Sequence, residues 1–231
     1  MIKAKALISD LDCTIVDTLG RFFEVFNEML TARGKRLLSW TEFFEVYVAD
    51  TLDDLIAQPP DRDREKKLHE FWMEFLRRYR EEGPDGKLIP GVIETFQDLS
   101  KNGVPIAIIT SCIVPAEKVR EELTRLGIGK FVRTIVTASD VVKNLEAGDH
   151  FSKVEILRLA AEKLGVDPKD CVVVGDYWND IRDGKAIGAK TVAVLTGQIR
   201  RELLEKYSPD AMIESIRNLQ EVVKFEINPQ Y

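Results

Sequence analysis

Short apolar runs that alternate with amphipathic segments are the feature that most restricts the fold of this 231-residue chain. Parallel strands need a crossover connection of this length, whereas antiparallel strands can be joined by tight turns. Five runs have the character of buried strands: residues 4–8, 105–109, 134–136, 171–174 and 191–195. We therefore predict an α/β fold with a doubly wound, Rossmann-like parallel sheet.

The segments between these runs support the prediction. Apolar residues recur at helical spacing in residues 92–101, 116–126, 154–164 and 180–187, and a glycine follows each segment within two residues. Glycine commonly ends a helix because it adopts the left-handed conformation without strain. Ligands of such sheets bind outside the carboxyl ends of the strands, so functional residues are expected where the runs end.

The segment from residue 18 to residue 87 has a different pattern and is predicted to be an inserted, all-helical domain. Three helical stretches, residues 19–33, 41–55 and 64–80, contain most of the 11 phenylalanines, which is enough aromatic material for a small core. We expect a core domain of residues 1–17 and 88–231 and a helical domain of residues 18–87, with hinges near residues 17–20 and 83–86.

Charge and composition exclude several classes of protein. The net charge is −6 and 45% of the residues are hydrophobic, as in ordinary soluble globular proteins. An acidic balance disfavours nucleic acid, and no apolar run approaches the ~18 residues of a membrane span. The three cysteines are scattered, so neither a disulfide framework nor a zinc site is indicated. The amino-terminal residues turn acidic where a signal peptide would be cleaved, so we expect a cytoplasmic protein.

Four aspartates that follow two of the predicted strands are the strongest candidates for chemistry. Asp10 and Asp12 end the first run one residue apart, so both can face one site. Asp176 and Asp180 follow the fourth run. Carboxylates gathered at one sheet edge recruit a cation, and an all-oxygen ligand set favours Mg²⁺. We predict a Mg²⁺ site suited to a phosphoryl group.

Three further residues could bind that phosphoryl group. Thr110 and Ser111 follow the second run, where hydroxyls and the backbone N–H groups of a turn can hold phosphate oxygens. Lys153 precedes the helical segment before the fourth run and could screen the charge of the phosphate. Each has an ordinary alternative, because hydroxyls are common at strand ends and lysines usually lie on the surface.

Taken in chain order, these residues resemble the motifs of the haloacid dehalogenase superfamily of phosphohydrolases. The matching residues are Asp10-x-Asp12-x-Thr14, Thr110, Lys153 and the GDxxxD stretch from Gly175 to Asp180. The resemblance covers essentially the whole chain. The segment after GDxxxD and the ending at residues 208–213 are similar to the phosphoglycolate-phosphatase-like branch, and the helical insertion corresponds to the family's cap domain, which closes over the site.

The resemblance implies a mechanism. Asp10 would attack phosphorus and form an aspartyl-phosphate, and Asp12 would protonate the leaving group and then activate water. Mg²⁺ would be bound by the Asp10 side chain, the backbone carbonyl of Asp12 and Asp176, with Asp180 in a supporting or water-mediated role. An acid at position 12 argues against a dehalogenase, because the resembling dehalogenases lack it.

The resemblance also assigns the phosphate-binding groups. Thr110, the backbone of Ser111 and Lys153 would bind the phosphoryl group, with Lys153 also assisting catalysis. The family's lysine is usually followed by proline, whereas Val154 follows here, which leaves Lys143 as a substitute. The implied partner is a small-molecule phosphate ester, phosphoglycolate-like or a sugar phosphate.

Several other residues carry weaker expectations. Cys13 stands where the family most often has glycine, and we hypothesise that Cys13 and Cys112 border the site and make it sensitive to mild oxidation. Tyr177 and Trp178 could touch the closed cap, and Asp183 is expected to be a surface or capping residue. Four basic residues of the cap could meet an anionic substrate: Arg21, Arg33, Lys35 and Arg36.

Three functions are compatible with these motifs. The leading one is a Mg²⁺-dependent phosphatase acting on a small metabolite. A phosphomutase would use the same aspartyl-phosphate but return it to a sugar bisphosphate. A catalytically quiet metabolite-binding module would be expected to lose one of the matched acids, and none is lost. Monomer and homodimer are equally compatible with the sequence.

Overall fold

The computed structural model describes residues 1–81, 86–141 and 152–226 of the chain. Its central sheet contains β2 (Ala6–Asp10), β5 (Ile106–Thr110), β6 (Thr134–Thr137), β7 (Cys171–Gly175), β8 (Lys190–Val194) and β9 (Ala211–Ile213). These strands are parallel and lie in the order β6-β5-β2-β7-β8-β9. The predicted parallel α/β sheet is confirmed.

Two short strand pairs flank this sheet. β1 (Ile2–Ala4) pairs in parallel with β10 (Val223–Phe225), and β3 (Val16–Asp17) pairs antiparallel with β4 (Lys87–Leu88). The first predicted strand, residues 4–8, therefore merges the end of β1 with most of β2, and its bounds are wrong by two residues. The β3–β4 pair was not predicted, and it joins the two chain crossings between the core and the helical insertion.

The helices in the described part of the chain fall into two groups. Those of the core are α5 (Val92–Lys101), α6 (Ala116–Arg125), α7 (Val154–Leu164), α8 (Trp178–Ala186), α9 (Arg201–Glu205) and α10 (Leu219–Val222). Those of the insertion are α1 (Leu19–Ala32), α2 (Trp40–Val48), α3 (Asp53–Ile56) and α4 (Arg64–Arg78). None of these helices combines the length and the apolar character that crossing a membrane requires.

The alternation of side chains along the strands explains why helices cover both faces of the sheet. In β5, Ile106 and Ile108 belong to the apolar cluster that includes α5 and α6, whereas Ala107 and Ile109 belong to the cluster that includes α7. All four residues are fully buried. Successive residues of a strand point to opposite faces, so a strand buried on both faces has an unbroken apolar sequence.

The helical insertion packs through aromatic rings. Phe22 of α1 lies 4.7 Å from Phe75 of α4 between ring centroids, and Phe26 lies 5.4 Å from Phe71. The predicted helix over residues 41–55 is wrong, because the chain forms α2 and α3 with a break at Asp50, whose φ is 57°. A non-glycine residue in this left-handed region cannot continue a right-handed helix. Residues 83–85 of the predicted hinge lie outside the described ranges.

Candidate active site

Strand register brings the ends of three strands to one edge of the sheet. Asp10 at the end of β2 lies opposite Ile109, the residue before Thr110 in β5. On the other side of β2, Ser9 lies opposite Val174 of β7, two residues before Asp176. The hydroxyl and the carboxylates identified in the sequence therefore meet at the carboxyl edge of adjacent parallel strands, as expected for this class of sheet.

Three carboxylates and one ammonium form the centre of this site. Asp10, Asp176 and Asp180 are buried, and each offers a carboxylate oxygen within 4.8 Å of the others. Lys153 Nζ donates to Asp10 Oδ1 at 2.7 Å and to Asp180 Oδ1 at 2.6 Å. Lys153 is 4% exposed, so the alternative of a surface lysine is wrong. Lys143, its possible substitute, lies outside the described residues.

Burial sets the electrostatics of this centre. It raises the pKa of Asp10 well above the usual range despite the nearby Lys153 ammonium, and burial next to Asp180 raises the pKa of Asp176 to about 7. One ammonium is too little positive charge for three buried carboxylates. Asp10, Asp176 and Asp180 together offer an oxygen-only donor set that suits a cation such as Mg²⁺.

Two residues hold Asp176 in this arrangement. The buried Thr14 hydroxyl donates to Asp176 Oδ1 at 2.7 Å. Gly197, in the loop after β8, lies against the same carboxylate, and a Cβ at that position would be 1.9 Å from Asp176 Oδ2. The sequence motif contained Thr14 without assigning it a contact, and nothing in the sequence indicated Gly197.

The Asp12 carboxylate makes separate contacts and is not part of the three-carboxylate cluster. Its Oδ1 accepts from Thr18 Oγ1 at 3.1 Å and from the guanidinium of Arg80, and its Oδ2 accepts from Thr110 Oγ1 at 3.1 Å. Burial alone would raise the pKa of Asp12, but Arg80 lowers it below its usual value. The side chain of Asp12 is therefore occupied by these contacts, and its backbone carbonyl is the group expected to bind the metal.

The turn after β5 supplies hydroxyl groups to the site. Thr110 Oγ1 also accepts from the backbone N–H of Cys112 at 3.1 Å, which fixes the orientation of the side chain. The Ser111 hydroxyl is buried and has no hydrogen-bond partner among the residues the structure describes. An unpartnered buried hydroxyl costs free energy unless a bound group pairs with it. Thr110 and Ser111 both line the cavity above the carboxylates.

Both thiols of the sequence hypothesis line the cavity as well. Cys13 has a φ of 58°, so it takes the left-handed conformation for which glycine would be suited. Burial raises the pKa of Cys112 to about 12 and also raises that of Cys13. Protonated thiols react slowly with oxidants, which argues against the expected sensitivity to mild oxidation.

Asp183 is not a surface residue, contrary to one of the two expectations for it. It is 2% exposed, and its Oδ2 accepts from the backbone N–H of Lys153 at 2.6 Å. Arg182 Nε donates to its other oxygen at 2.6 Å. Asp183 therefore fixes the start of α7, the point from which the Lys153 side chain reaches the carboxylates.

The helical insertion covers the site, and a cavity of about 250 Å³ lies between the two. The Tyr177 hydroxyl donates to Asp50 Oδ1, so the expected contact between the GDxxxD stretch and the insertion is present. The backbone N–H of Ile113 also donates to the carbonyl of Leu76 at 2.9 Å. These hydrogen bonds hold the insertion closed over the carboxyl edge of the sheet.

The four basic residues that were expected to meet an anionic substrate are paired elsewhere, and the cavity lining does not include them. The contacts are Arg21 with Glu122, Arg33 with Glu74, Lys35 with the carbonyl of Leu55, and Arg36 with Glu42. Arg80, which no sequence pattern indicated, is a basic residue of the insertion that reaches a catalytic candidate. Its partner Asp12 is 68 residues distant in sequence, so no local pattern could have shown the contact.

Comparison with known proteins agrees with this geometry. Residues 7–194 match the profile of the haloacid dehalogenase-like hydrolases. The chain is 28% identical to pyrophosphatase PpaX of Bacillus velezensis over 94% of this chain and 95% of that protein. It is 30% identical to phosphoglycolate phosphatase of Escherichia coli O157:H7 over 73% of this chain and 66% of that protein.

Solved structures show the same fold. A haloacid dehalogenase-like family hydrolase from Streptococcus pneumoniae superimposes with a TM-score of 0.70 at 17% identity, covering 94% of this chain and 97% of that one. The family profile spans most of the sheet and the whole insertion, and it includes every candidate site residue from Asp10 to Asp180. The chain belongs to the haloacid dehalogenase-like hydrolase family, in its phosphoglycolate-phosphatase-like branch.

Proposed function

We propose that this protein is a Mg²⁺-dependent phosphatase that hydrolyses a phosphate monoester of a small molecule through an aspartyl-phosphate on Asp10. The main support is the buried Lys153 ammonium, which bonds both Asp10 and Asp180 beneath the cavity that the insertion covers. Charged groups concentrated in a cavity are typical of a catalytic site. A phosphoglycolate-like or sugar phosphate substrate and a cytosolic location remain sequence-based predictions.

Asp10 is the proposed nucleophile. One of its carboxylate oxygens forms a bond to phosphorus while the bond between phosphorus and the ester oxygen breaks. Lys153 stabilises the ionised carboxylate before the attack and the phosphoryl oxygens during it. A Mg²⁺ ion held by Asp10, Asp176 and Asp180 would supply further neutralisation of the phosphoryl charge.

Asp12 transfers the protons. In its protonated form it gives a proton to the ester oxygen, so that the alcohol leaves uncharged. As a carboxylate, Asp12 then takes a proton from the water that attacks phosphorus. This attack breaks the bond between phosphorus and Asp10 and releases inorganic phosphate. The ion pair with Arg80 favours the ionised form of Asp12, which is the form this second step needs.

The turn after β5 is proposed to bind the phosphoryl oxygens. The hydroxyl of Thr110 lies beside the Asp12 carboxylate, and both Thr110 and Ser111, whose buried hydroxyl is unpartnered among the described residues, line the cavity. Together with Lys153 they provide donors on the sheet side, while the insertion above the site restricts the access of bulk water. Exclusion of water strengthens each of these interactions and limits transfer to the water that Asp12 activates.

Hydrolysis of an aryl phosphate tests this proposal. Wild type and Asp10→Asn are each assayed with Mg²⁺ and with a chelator, because asparagine keeps the shape of the side chain but removes the attacking carboxylate. We expect phosphate release by wild type with Mg²⁺ and none in the other three assays. Turnover by Asp10→Asn, or turnover unaffected by the chelator, would contradict the proposal.

The phosphomutase alternative is separated by a second assay. A mutase needs a bisphosphate activator and returns the phosphoryl group to a sugar, whereas a phosphatase releases phosphate without an activator. We expect wild type to release phosphate in the absence of any bisphosphate. Release that requires a sugar bisphosphate would favour the mutase.

A further inference from the structure

The surface that the insertion presents to the cavity combines an apolar wall with two carboxylates. We define the cap wall as Phe22, Tyr47, Leu52, Trp72, Phe75 and Leu76, which line the cavity opposite the carboxyl edge of the sheet. The leaving group of a phosphate ester held at Asp10 must occupy the space between this wall and the site. The cap wall therefore determines which leaving groups fit.

The rings of the cap wall pack against one another, and the wall presents carbon atoms apart from the hydroxyl of Tyr47. Phe22 contacts Phe75 and Tyr47 with ring centroids 4.7 Å and 5.3 Å apart, so the three rings fix one another. The indole Nε1 of Trp72 donates to Asp53 Oδ1 at 2.8 Å, which leaves the faces and edges of the ring for other contacts. Close-packed aromatic rings of this kind bind apolar groups well and solvate charged groups poorly.

Two carboxylates beside the cap wall add negative charge. Asp50 and Asp53 also line the cavity, and Asp50 accepts from the Tyr177 hydroxyl. Lys153 is the cationic side chain in the described lining, and it already bonds Asp10 and Asp180. A second anionic group on the substrate would be desolvated by the cap wall and repelled by Asp50 and Asp53.

We infer that the substrate carries an uncharged, predominantly apolar leaving group, either aryl or alkyl, and no second phosphate or carboxylate. The inference rests on the proposed phosphatase function and replaces the phosphoglycolate-like or sugar phosphate substrate that the sequence predicts. The reaction converts the monoester and water into a neutral alcohol or phenol and inorganic phosphate, with Asp12 supplying the proton to the departing oxygen. Phosphoglycolate and pyrophosphate are then poor substrates.

The main comparison is between two esters that differ by one carboxylate substituent on the ring. Benzyl phosphate and 4-carboxybenzyl phosphate share a ring and an alkyl ester bond, and their kcat/KM values are measured with Mg²⁺ beside those for phosphoglycolate and pyrophosphate. We expect the kcat/KM for benzyl phosphate to be at least tenfold higher than the kcat/KM for each of the other three compounds. Equal or higher kcat/KM for any anionic leaving group overturns the inference while leaving the phosphatase proposal intact. Lack of turnover with all four contradicts both.

Two variants test whether the cap wall and the neighbouring carboxylates cause the preference for benzyl phosphate over 4-carboxybenzyl phosphate. Leu52→Arg places a cation beside the cavity and is expected to raise the relative kcat/KM for 4-carboxybenzyl phosphate at least tenfold. Asp53→Asn is expected to raise it by a smaller factor, because one repelling charge is removed. Leu37→Arg is the matched control, since Leu37 lies in the same domain, is 67% exposed and does not line the cavity. A ratio unchanged in both Leu52→Arg and Asp53→Asn overturns the inference.

Discussion

The guanidinium of Arg80 forms an ion pair with the carboxylate of Asp12 and joins the insertion to the proposed acid and base of the core. Arg80 follows α4 by two residues, and its side chain is 4% exposed. Its other terminal nitrogen donates to Glu122 of α6, which also pairs with Arg21 of α1 at 3.4 Å. Closure of the insertion and the position of Asp12 therefore depend on one buried network of charges.

Removal of Arg80 is expected to lower both activity and stability. Arg80→Ala leaves two carboxylates without their main counter-charge, so the free energy of unfolding should fall by about 3–5 kcal/mol. Loss of the fixed Asp12 orientation should lower kcat about a hundredfold, measured well below the unfolding temperature. Arg80→Lys should recover part of the stability but less of the activity, because lysine lacks the planar fork.

The control for this prediction is Arg125→Ala, which removes an exposed arginine from α6. It should change neither the unfolding free energy nor kcat by a measurable amount, as is usual for surface substitutions. Wild-type kcat in Arg80→Ala would show that the ion pair does not position Asp12.

The close approach of Gly197 to Asp176 predicts a strict size limit at that position. A methyl group from Gly197→Ala would overlap the carboxylate and displace it, so Mg²⁺ affinity measured by calorimetry should fall at least about tenfold. Gly20→Ala is the matched control, because a Cβ at Gly20 would have nothing within 4 Å. Equal Mg²⁺ affinity in the two variants would refute the contact.

The Thr14 hydroxyl is expected to orient Asp176 for metal binding. Thr14→Val keeps the shape of the buried side chain but removes the donor to Asp176 Oδ1, and loss of such a supporting hydrogen bond typically weakens metal affinity about tenfold to a hundredfold. Thr14→Ser keeps the hydroxyl and should retain most of the affinity. Similar Mg²⁺ dissociation constants for the valine and serine variants would argue against this role.

Mg²⁺ binding is expected to depend on pH in the neutral range. Burial next to Asp180 raises the pKa of Asp176 to about 7 before a cation binds, so the metal must displace a proton below that pH. Affinity should be nearly constant above pH 8 and should fall by up to about tenfold per unit below pH 7. Titration calorimetry in buffers of different ionisation enthalpy would detect the released proton, and equal affinity at pH 6 and pH 8 would contradict the prediction.

The raised pKa of Asp176 also predicts how pH affects the stability of the metal-free protein. The folded-state pKa of Asp176 lies above its unfolded value of 3.8, so the unfolded chain releases this proton at lower pH than the folded protein. The contribution of Asp176 to stability is present below pH 4 and is lost as the pH rises towards 7. In chelator, the unfolding temperature of wild type should therefore decline over this range more than that of Asp176→Asn.

The sheet could be predicted from sequence because its strands are buried on both faces. Ile106 to Ile109 form an unbroken apolar run, and a polar residue follows it where the strand reaches the site. The break between α2 and α3 could not be predicted. It lies at Asp50, which has a left-handed backbone conformation and whose side chain accepts a hydrogen bond from Tyr177, 127 residues away in sequence. Local periodicity contains no information about such a contact.

The candidate site was predictable in part for the same reason. Asp10 ends β2, Asp12 lies two residues beyond it and Asp176 directly follows β7, so their position at one sheet edge is a consequence of the parallel topology. Arg80 and Gly197 lie outside the strand ends, and their roles depend on how the insertion and one loop pack in three dimensions. The cap wall could not be predicted either, because helical periodicity does not show which face of α1, α2 or α4 lines the cavity.

The most direct test of the account is to trap the covalent intermediate on Asp10. Asp12→Asn is mixed with Mg²⁺ and an aryl phosphate, whose phenolate leaves without protonation, and the reaction is quenched in acid. Because the variant lacks the base that activates water, the aspartyl-phosphate should accumulate, and borohydride should convert residue 10 to homoserine, detected by peptide mass spectrometry. We expect homoserine at position 10 in Asp12→Asn and none in the Asp10→Asn/Asp12→Asn double variant. Phosphate release without any modification of residue 10 would contradict the mechanism.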